Sequence, residues 1–504
     1  MTTNGSITSA SSRPSQKMGS LALSGAVVFL AVLAIIFLSG VILQLGVTPD
    51  YPWLLASGDW ILQHRQLPAT DLFSWTAADR SWVLYQWGFE TSLAFIHSLG
   101  GYSGVATIFA WTVLGLYLLV PVITRPQGTP VLLVVLVAAA VLVVLTVNMS
   151  IRPMIVTSTG LLLQQLLIHR LRRRAIGLHR ACIAIFLLYV VWANFHTGFM
   201  LGLIAVLLTL VGDWCEQHFH ANSPIPDRPR PLAPMLLTLL IGAALLGSML
   251  TPYGLKLHIY VVSLASATEL SARIDELNRP HFSFMQFQLL IALVFVLSLA
   301  LLRNRRAVRP ADILQISASI IATLLAARFV VWAALYMALI LPEAIARAWP
   351  NATKRCALPT SRPLISILAL ATLIVPLWLV TIGVANPIGP LCKKVLPAIE
   401  TYMMARSQRD HLLTDPITGS CMIAAAPGVP VFIDTRFDFY GTDFTVKTLD
   451  ALALKPGWRD FVDGYAVDIA VLDRGLSLAE KLALDPKFFV LYADDEAVVV
   501  RRLP

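Results

Sequence analysis

The chain has 504 residues, 57% of them hydrophobic and only 13% charged, with a mean hydropathy of +0.73 and a formal net charge of +9. An average soluble chain is about 25% charged, so this composition cannot clothe a water-facing surface and excludes an ordinary soluble enzyme. The positive balance does not point to nucleic acid either, because the basic residues sit in short loops between apolar segments, where they carry topology information.

The first 19 residues are rich in Ser and Thr and read as a disordered cytoplasmic tail. Residues 21–45 follow without a charge, enough to cross roughly 30 Å of hydrocarbon at about 1.5 Å per helical residue. This run exceeds the h-region of a signal peptide and lacks a clean small-residue cleavage site, so it reads as an uncleaved helix. Further apolar runs at 104–123, 131–147, 154–167, 181–193, 199–211, 235–250, 287–302, 313–325, 329–341 and 364–384 bring the expected spans to about eleven. Several are short, so the pairs at 181–211 and 313–341 must extend into polar flanks or form re-entrant hairpins.

Alternate loops sort by Lys and Arg. One set holds Arg13, Lys17, Arg125, the HRLRRR run over Arg170–Arg174, Arg180, Arg228, Arg230 and the clusters at 303–309 and 347–362. It is the cytoplasmic set by the positive-inside rule. The other holds Arg65, Arg80, Arg152, Lys256, Arg273, Arg279 and Arg328 with most of the loop carboxylates, and faces outward. The N-terminus is therefore expected inside and the C-terminus outside.

From about residue 386 charges and Gly/Pro punctuation return, marking a soluble domain of about 120 residues over 386–504 after a transmembrane domain over 20–385. Runs at 429–433, 467–472, 488–492 and 497–500 read as buried strands and 476–484 as a helix. The expected fold class is thus a polytopic α-helical membrane protein with a small C-terminal extracytoplasmic α/β domain. Of the five cysteines, Cys182, Cys215, Cys356, Cys392 and Cys421, none has metal-ligand spacing. Cys392 and Cys421 share the tail and either pair, if it is extracytoplasmic, or remain two buried thiols.

The outward loop 46–90 mixes Asp50, Asp59, Asp71, Asp79 and Glu90 with Trp53, Trp60, Trp75, Trp82 and Trp87. Rings beside carboxylates suit a sugar site, since a ring stacks on a sugar face and a carboxylate accepts the proton of an attacking hydroxyl. A surface helix in the headgroup belt has the same composition. Asp50 stands out because it lies five residues past the first helix. Arg152, His196 and Arg328 fall at outward helix ends within apolar sequence, where ionisable groups usually face a cavity or a partner. Two arginines and a histidine could clamp a lipid phosphate, or the arginines could snorkel to the outer leaflet. Tyr253, Lys256, His258 and Tyr260, with Asp275 and Glu276 further along, belong to another outward loop at the same rim; a solvated loop is the default for the last two. No Walker motif, GxSxG elbow, HExxH or GxGxxG is present.

In order along the chain, Asp50, Trp53, Gly58, Ile61, Pro68, Asp71, Phe73-Ser74 and Trp82 are followed by Arg152-Pro153, Trp192-Ala193-Asn194 with His196, Pro252-Tyr253-Gly254, Arg328 and VFIDTRFDFYG at 431–441. This series resembles the GT-C superfamily, integral membrane glycosyltransferases that take sugars from polyprenyl-phosphate donors on the outer face. The resemblance implies that Asp50 is the first-loop base or acceptor-orienting residue. Two positions depart from the pattern: Tyr51-Pro52-Trp53-Leu54-Leu55 lacks the His expected after the Asp, and Gln86 replaces a Glu. No cofactor is implied, and use of a divalent cation is left open.

The reading is a bacterial inner-membrane glycosyltransferase with Asp50 catalytic and Arg152, Arg328, His196, Glu90, Asp71, Trp53 and Tyr253 binding substrate. Its expected partners are a polyprenyl-phosphate-linked sugar, membrane lipid and a glycan, lipid or protein acceptor. The alternatives are a transporter or flippase for a lipid-linked or anionic substrate, and a non-catalytic envelope assembly subunit.

Overall fold

The computed structural model describes residues 35, 36, 39, 40, 48–126, 128–146, 150–219, 231–266, 268–355, 362–383 and 390–503. The expected tail at 1–19 and nearly all of the expected helix at 21–45 lie outside the described residues. Helices stand at the ten other expected places. They are preceded by α1 (Tyr51–His64), inside the first outward loop.

The ten are α2 (Trp87–Thr124), α3 (Val131–Leu145), α4 (Met154–Arg172), α5 (Leu178–Phe195), α6 (Phe199–Phe219), α7 (Pro234–Ser248), α9 (Met285–Arg303), α10 (Pro310–Leu325), α11 (Val330–Ala348) and α12 (Arg362–Thr381). Between α7 and α9 lies α8 (Leu255–Ala265). Most run past the apolar stretches that marked them, because helix continues into polar flanks that hydropathy does not register. Both members of the 181–211 pair lengthen this way, to 18 and 21 residues. Among the described residues, five helical stretches can cross a membrane by length and composition: α2, α5, α6, α9 and Ala327–Ala348. The chain is a multi-pass membrane protein, and large side chains such as Leu187, Val191 and Phe295 point outward, as a helix surrounded by hydrocarbon requires.

Within α2 the backbone breaks at Gly101, whose φ of 58° and ψ of −162° suit a residue without Cβ. The helix thereby divides into a segment that packs on α1 and one that continues as the apolar span. Small residues bring other helices close. A Cβ on Gly160 would fall 2.4 Å from the Trp192 ring, and one on Gly247 would fall 2.3 Å from the Phe186 carbonyl oxygen.

The tail begins with α13 (Pro390–Ala405) and carries a four-stranded sheet in the order β1-β2-β4-β3, from β1 (Leu412–Thr414), β2 (Ile469–Asp473), β3 (Phe488–Ala493) and β4 (Ala497–Arg502). β1 runs parallel to β2, and the other pairings are antiparallel. The helix Pro416–Ala425 follows β1 and Ser477–Ala483 follows β2. Cys392 and Cys421 form a disulfide, which resolves the alternative that the sequence left open.

The apolar run 429–433 is not a strand of this sheet. Val431 pairs with the first outward loop, accepting from the Trp75 amide at 3.1 Å and donating to the Phe73 carbonyl at 2.8 Å. Its apolar character comes from burial at that junction. β1 escaped notice because three residues are too few to show a period.

Arg436 locks the same junction. Its guanidinium bonds Asp434 through Nε at 2.9 Å and Nη2 at 2.6 Å, and Asp71 through Nη1 at 2.6 Å, with all three side chains at most 1% exposed. Phe73, Trp82, Phe439 and Tyr440 enclose it, ring centroids 4.6 to 5.6 Å away. Removing one partner of a fully buried pair costs about 3–5 kcal/mol. Arg436→Ala should therefore lower the unfolding temperature of the detergent-solubilised protein by several degrees; an unchanged melting curve would show that this cluster does not hold the junction.

Candidate functional site

Asp50 is the residue before α1, and Pro52 in the first turn suits a helix start. Its side chain does not cap the helix. One oxygen accepts from the Thr435 hydroxyl at 2.6 Å and the other faces Arg152 Nε at 2.9 Å. Trp53 Nε1 donates to the Thr435 hydroxyl at 3.1 Å, so Trp53 holds Thr435 while Thr435 holds Asp50.

Arg152 stands in the turn ahead of α4, where its Nε also reaches Thr48 Oγ1 at 3.1 Å and its Nη1 meets Glu276 at 2.5 Å. The second oxygen of Glu276 lies 3.9 Å from Arg328 Nη2. Asp50, Arg152, Glu276 and Arg328 thus form a row of alternating charge, each side chain 21 to 32% exposed. The groups are held in place yet remain open to a ligand. Two arginines thus share one carboxylate of the chain itself, and paired guanidinium groups are of the chemistry that holds an anion.

His196 sits in the turn between α5 and α6. Its Nδ1 is 2.6 Å from the Thr157 hydroxyl and accepts the Gly198 amide at 3.1 Å. Nδ1 is the acceptor, so the ring is neutral with its proton on Nε2. Arg328 lies close enough for its charge to act on this ring.

The remaining predicted residues hold the first loop in place. Glu90 is fully buried and accepts from Ser57. It lies where α1 crosses α2 so closely that a Cβ on Gly58 would come 2.1 Å from the Glu90 carbonyl oxygen. Asp71 is inside the Arg436 cluster, and the Tyr253 hydroxyl accepts the Leu84 amide at 2.9 Å. Trp87 Nε1 donates to Asn194 at 2.9 Å. Among the described residues no group of three or more His, Cys, Asp or Glu converges as a metal site.

Sequence reasoning passed over Glu276 as a solvated loop acid, set Tyr260 at the cavity rim, reached Thr435 and Asp438 only as members of the run 431–441, and missed Tyr85. Asp438 accepts from the Tyr260 hydroxyl at 3.0 Å, and the Tyr85 ring lies 5.8 Å from that of Tyr260. Burial raises its pKa, against the pull of both phenols and of Arg436. A lone carboxylate inside the aromatic run FDFY was the one available signal.

No family model matches the chain, and no curated protein matches it in sequence. Solved structures do match in shape. The archaeal oligosaccharyltransferase AglB from Archaeoglobus fulgidus, in complex with an inhibitory peptide and a dolichol-phosphate, aligns with a TM-score of 0.53 at 13% identity, over 88% of this chain and 69% of that one. The Archaeoglobus fulgidus oligosaccharyltransferase tethered to an acceptor peptide gives 0.52 at 14% identity over the same shares. ArnT from Cupriavidus metallidurans, in the apo state, gives 0.52 at 12% identity, over 96% of this chain and 98% of that one. AglB and ArnT are both GT-C membrane glycosyltransferases, and at these identities what this chain shares with them is the fold.

Proposed function

We propose that this chain is a membrane glycosyltransferase that moves a sugar from a polyprenyl-phosphate donor to an envelope glycan, lipid or protein acceptor at the outer face of a bacterial inner membrane. The observation that carries the reading is the row Asp50, Arg152, Glu276, Arg328, set in a GT-C fold. The dolichol-phosphate of the AglB complex is a ligand of the chemistry that two arginines would hold.

In the reaction, Asp50 takes the proton of the acceptor hydroxyl, whose oxygen forms a bond to the anomeric carbon. The bond from that carbon to the phosphate oxygen breaks, and the electron pair leaves with the lipid phosphate. Arg152 and Arg328 stabilise the charge that develops there, the kind of fixed electrostatic help that often dominates catalysis. Trp53 acts through Thr435 to aim Asp50, and neutral His196 faces the same region as a hydrogen-bond donor. Asp71, Glu90 and Tyr253 position the loop that carries Asp50. A donor phosphate must displace Glu276, which lends the arginines their charge balance in its absence.

The N-terminus is cytoplasmic and the tail extracytoplasmic in this reading, supported by the sorting of Lys and Arg between loops. The Cys392–Cys421 disulfide agrees, since such bonds persist in oxidising compartments. Residues 1–19 form the tail inside, 20–385 the membrane domain and 386–504 an outer α/β domain that binds acceptor or partner.

With labelled polyprenyl-phosphate sugars and purified protein, wild type should release label from the lipid. Loss of a general base typically costs about 10²–10⁴-fold, so Asp50→Asn should fall by at least about 100-fold at unchanged membrane abundance. Full activity in that variant would remove Asp50 from the mechanism, and lipid binding without label loss in wild type would favour transport or assembly. Glu276→Gln should tighten binding of undecaprenyl phosphate about two- to fivefold, the scale of a partly exposed ion pair; unchanged or weaker binding would show that Glu276 is no competitor.

A further inference from the structure

Three side chains distant in sequence meet beside the arginine row and have no part in the mechanism above. Tyr85 ends the first outward loop, Tyr260 is on α8, and Asp438 is on the short helical turn Phe437–Tyr440. Tyr260 donates to the Asp438 carboxylate at 3.0 Å, and the Tyr85 and Tyr260 rings lie 5.8 Å apart at 38°. All three are half-buried, whereas Asp434 and Arg436 a few residues earlier are sealed. The trio therefore reaches accessible space, and Asp438 lies three residues beyond Thr435, whose hydroxyl donates to Asp50 at 2.6 Å.

A carboxylate offers about four lone-pair sites, of which the Tyr260 hydroxyl takes one. Places remain for external hydroxyls, flanked by ring faces onto which C–H groups pack. Negative charge at Asp438 repels an anion, so a phosphate belongs on the arginines and a neutral polyhydroxyl group beside the trio. One carboxylate with two phenols is a poor cation site.

We propose that Tyr85, Asp438 and Tyr260 form the subsite for the sugar of the donor, with Asp438 accepting two of its hydroxyls while Arg152 and Arg328 hold the phosphate to which that sugar is attached. The trio is tied to the row through its own segment: Asp438 follows Thr435 by three residues, and the Thr435 hydroxyl holds Asp50 beside Arg152, so a sugar at the trio stands next to the donor phosphate. The inference rests on the donor-binding reading above and adds to it the residues that recognise the transferred group.

The test measures affinity of the full chain in detergent for undecaprenyl phosphate alone and for undecaprenyl phosphate carrying glucose, mannose or galactose. Wild type should bind at least one sugar-bearing lipid more tightly than the bare lipid. Asp438→Asn should lose on the order of tenfold in that preference, as expected for hydrogen bonds to a charged group, with affinity for the bare lipid unchanged. Tyr260→Phe keeps the ring, removes only the hydroxyl and should lose part of the same preference. A preference that survives in both variants overturns the subsite and leaves sugar recognition to other residues, the acceptor then being the sugar that the trio serves. Equal loss for both lipids also overturns it, showing that the trio only braces the fold, as does a wild type with no preference. The donor-binding reading fails separately: if Arg152→Ala binds bare undecaprenyl phosphate as wild type does while Asp438→Asn still loses the sugar preference, the subsite stands and the phosphate role falls.

Discussion

The burial of Arg436 is the constraint on which the rest of the structure depends. A guanidinium with essentially no solvent survives only where carboxylates neutralise it and its donors are satisfied. Here one carboxylate, Asp434, comes from the tail and the other, Asp71, from the first outward loop. The aromatic walls likewise come from both, Phe73 and Trp82 from the loop and Phe439 and Tyr440 from the tail. Neither segment can satisfy the charge alone, so the tail and the loop have to come together.

Thr435 precedes Arg436, and once Arg436 is anchored the Thr435 hydroxyl stands within 2.6 Å of Asp50. Asp438 follows by two residues and meets Tyr260. A single anchored segment thus brings Thr435 to Asp50 and Asp438 to Tyr260. The row is only partly exposed, where charge pairs are less screened than on a free surface. Its internal anion, Glu276, keeps the arginines ordered and displaceable by a stronger anion.

Much of the helical framework was legible in the sequence, because runs of uncharged apolar residues have few other destinations. Boundaries were less legible: α4 continues to Arg172 through a basic flank, and α2 starts at Trp87, well before its apolar span, because Gly101 separates a loop-packing segment from it. The run 429–433 looked like a strand because burial against another loop and burial in a sheet call for the same residues. Within the site, Asp50, Arg152 and Arg328 were visible as charges at helix ends, and the structure brings them together. Asp71 and Trp82 were visible through family resemblance, and they lie in the Arg436 cluster. Glu276 and Asp438 were not legible as site residues, since what distinguishes them is partners more than a hundred residues away in the chain.

The most direct measurement is a structure, by electron cryomicroscopy, of the full chain with undecaprenyl phosphate bound. The account predicts the phosphate between Arg152 and Arg328, with Glu276 turned away and Asp50 still held by Thr435. A phosphate bound elsewhere, with Glu276 still bridging the two arginines, would contradict it.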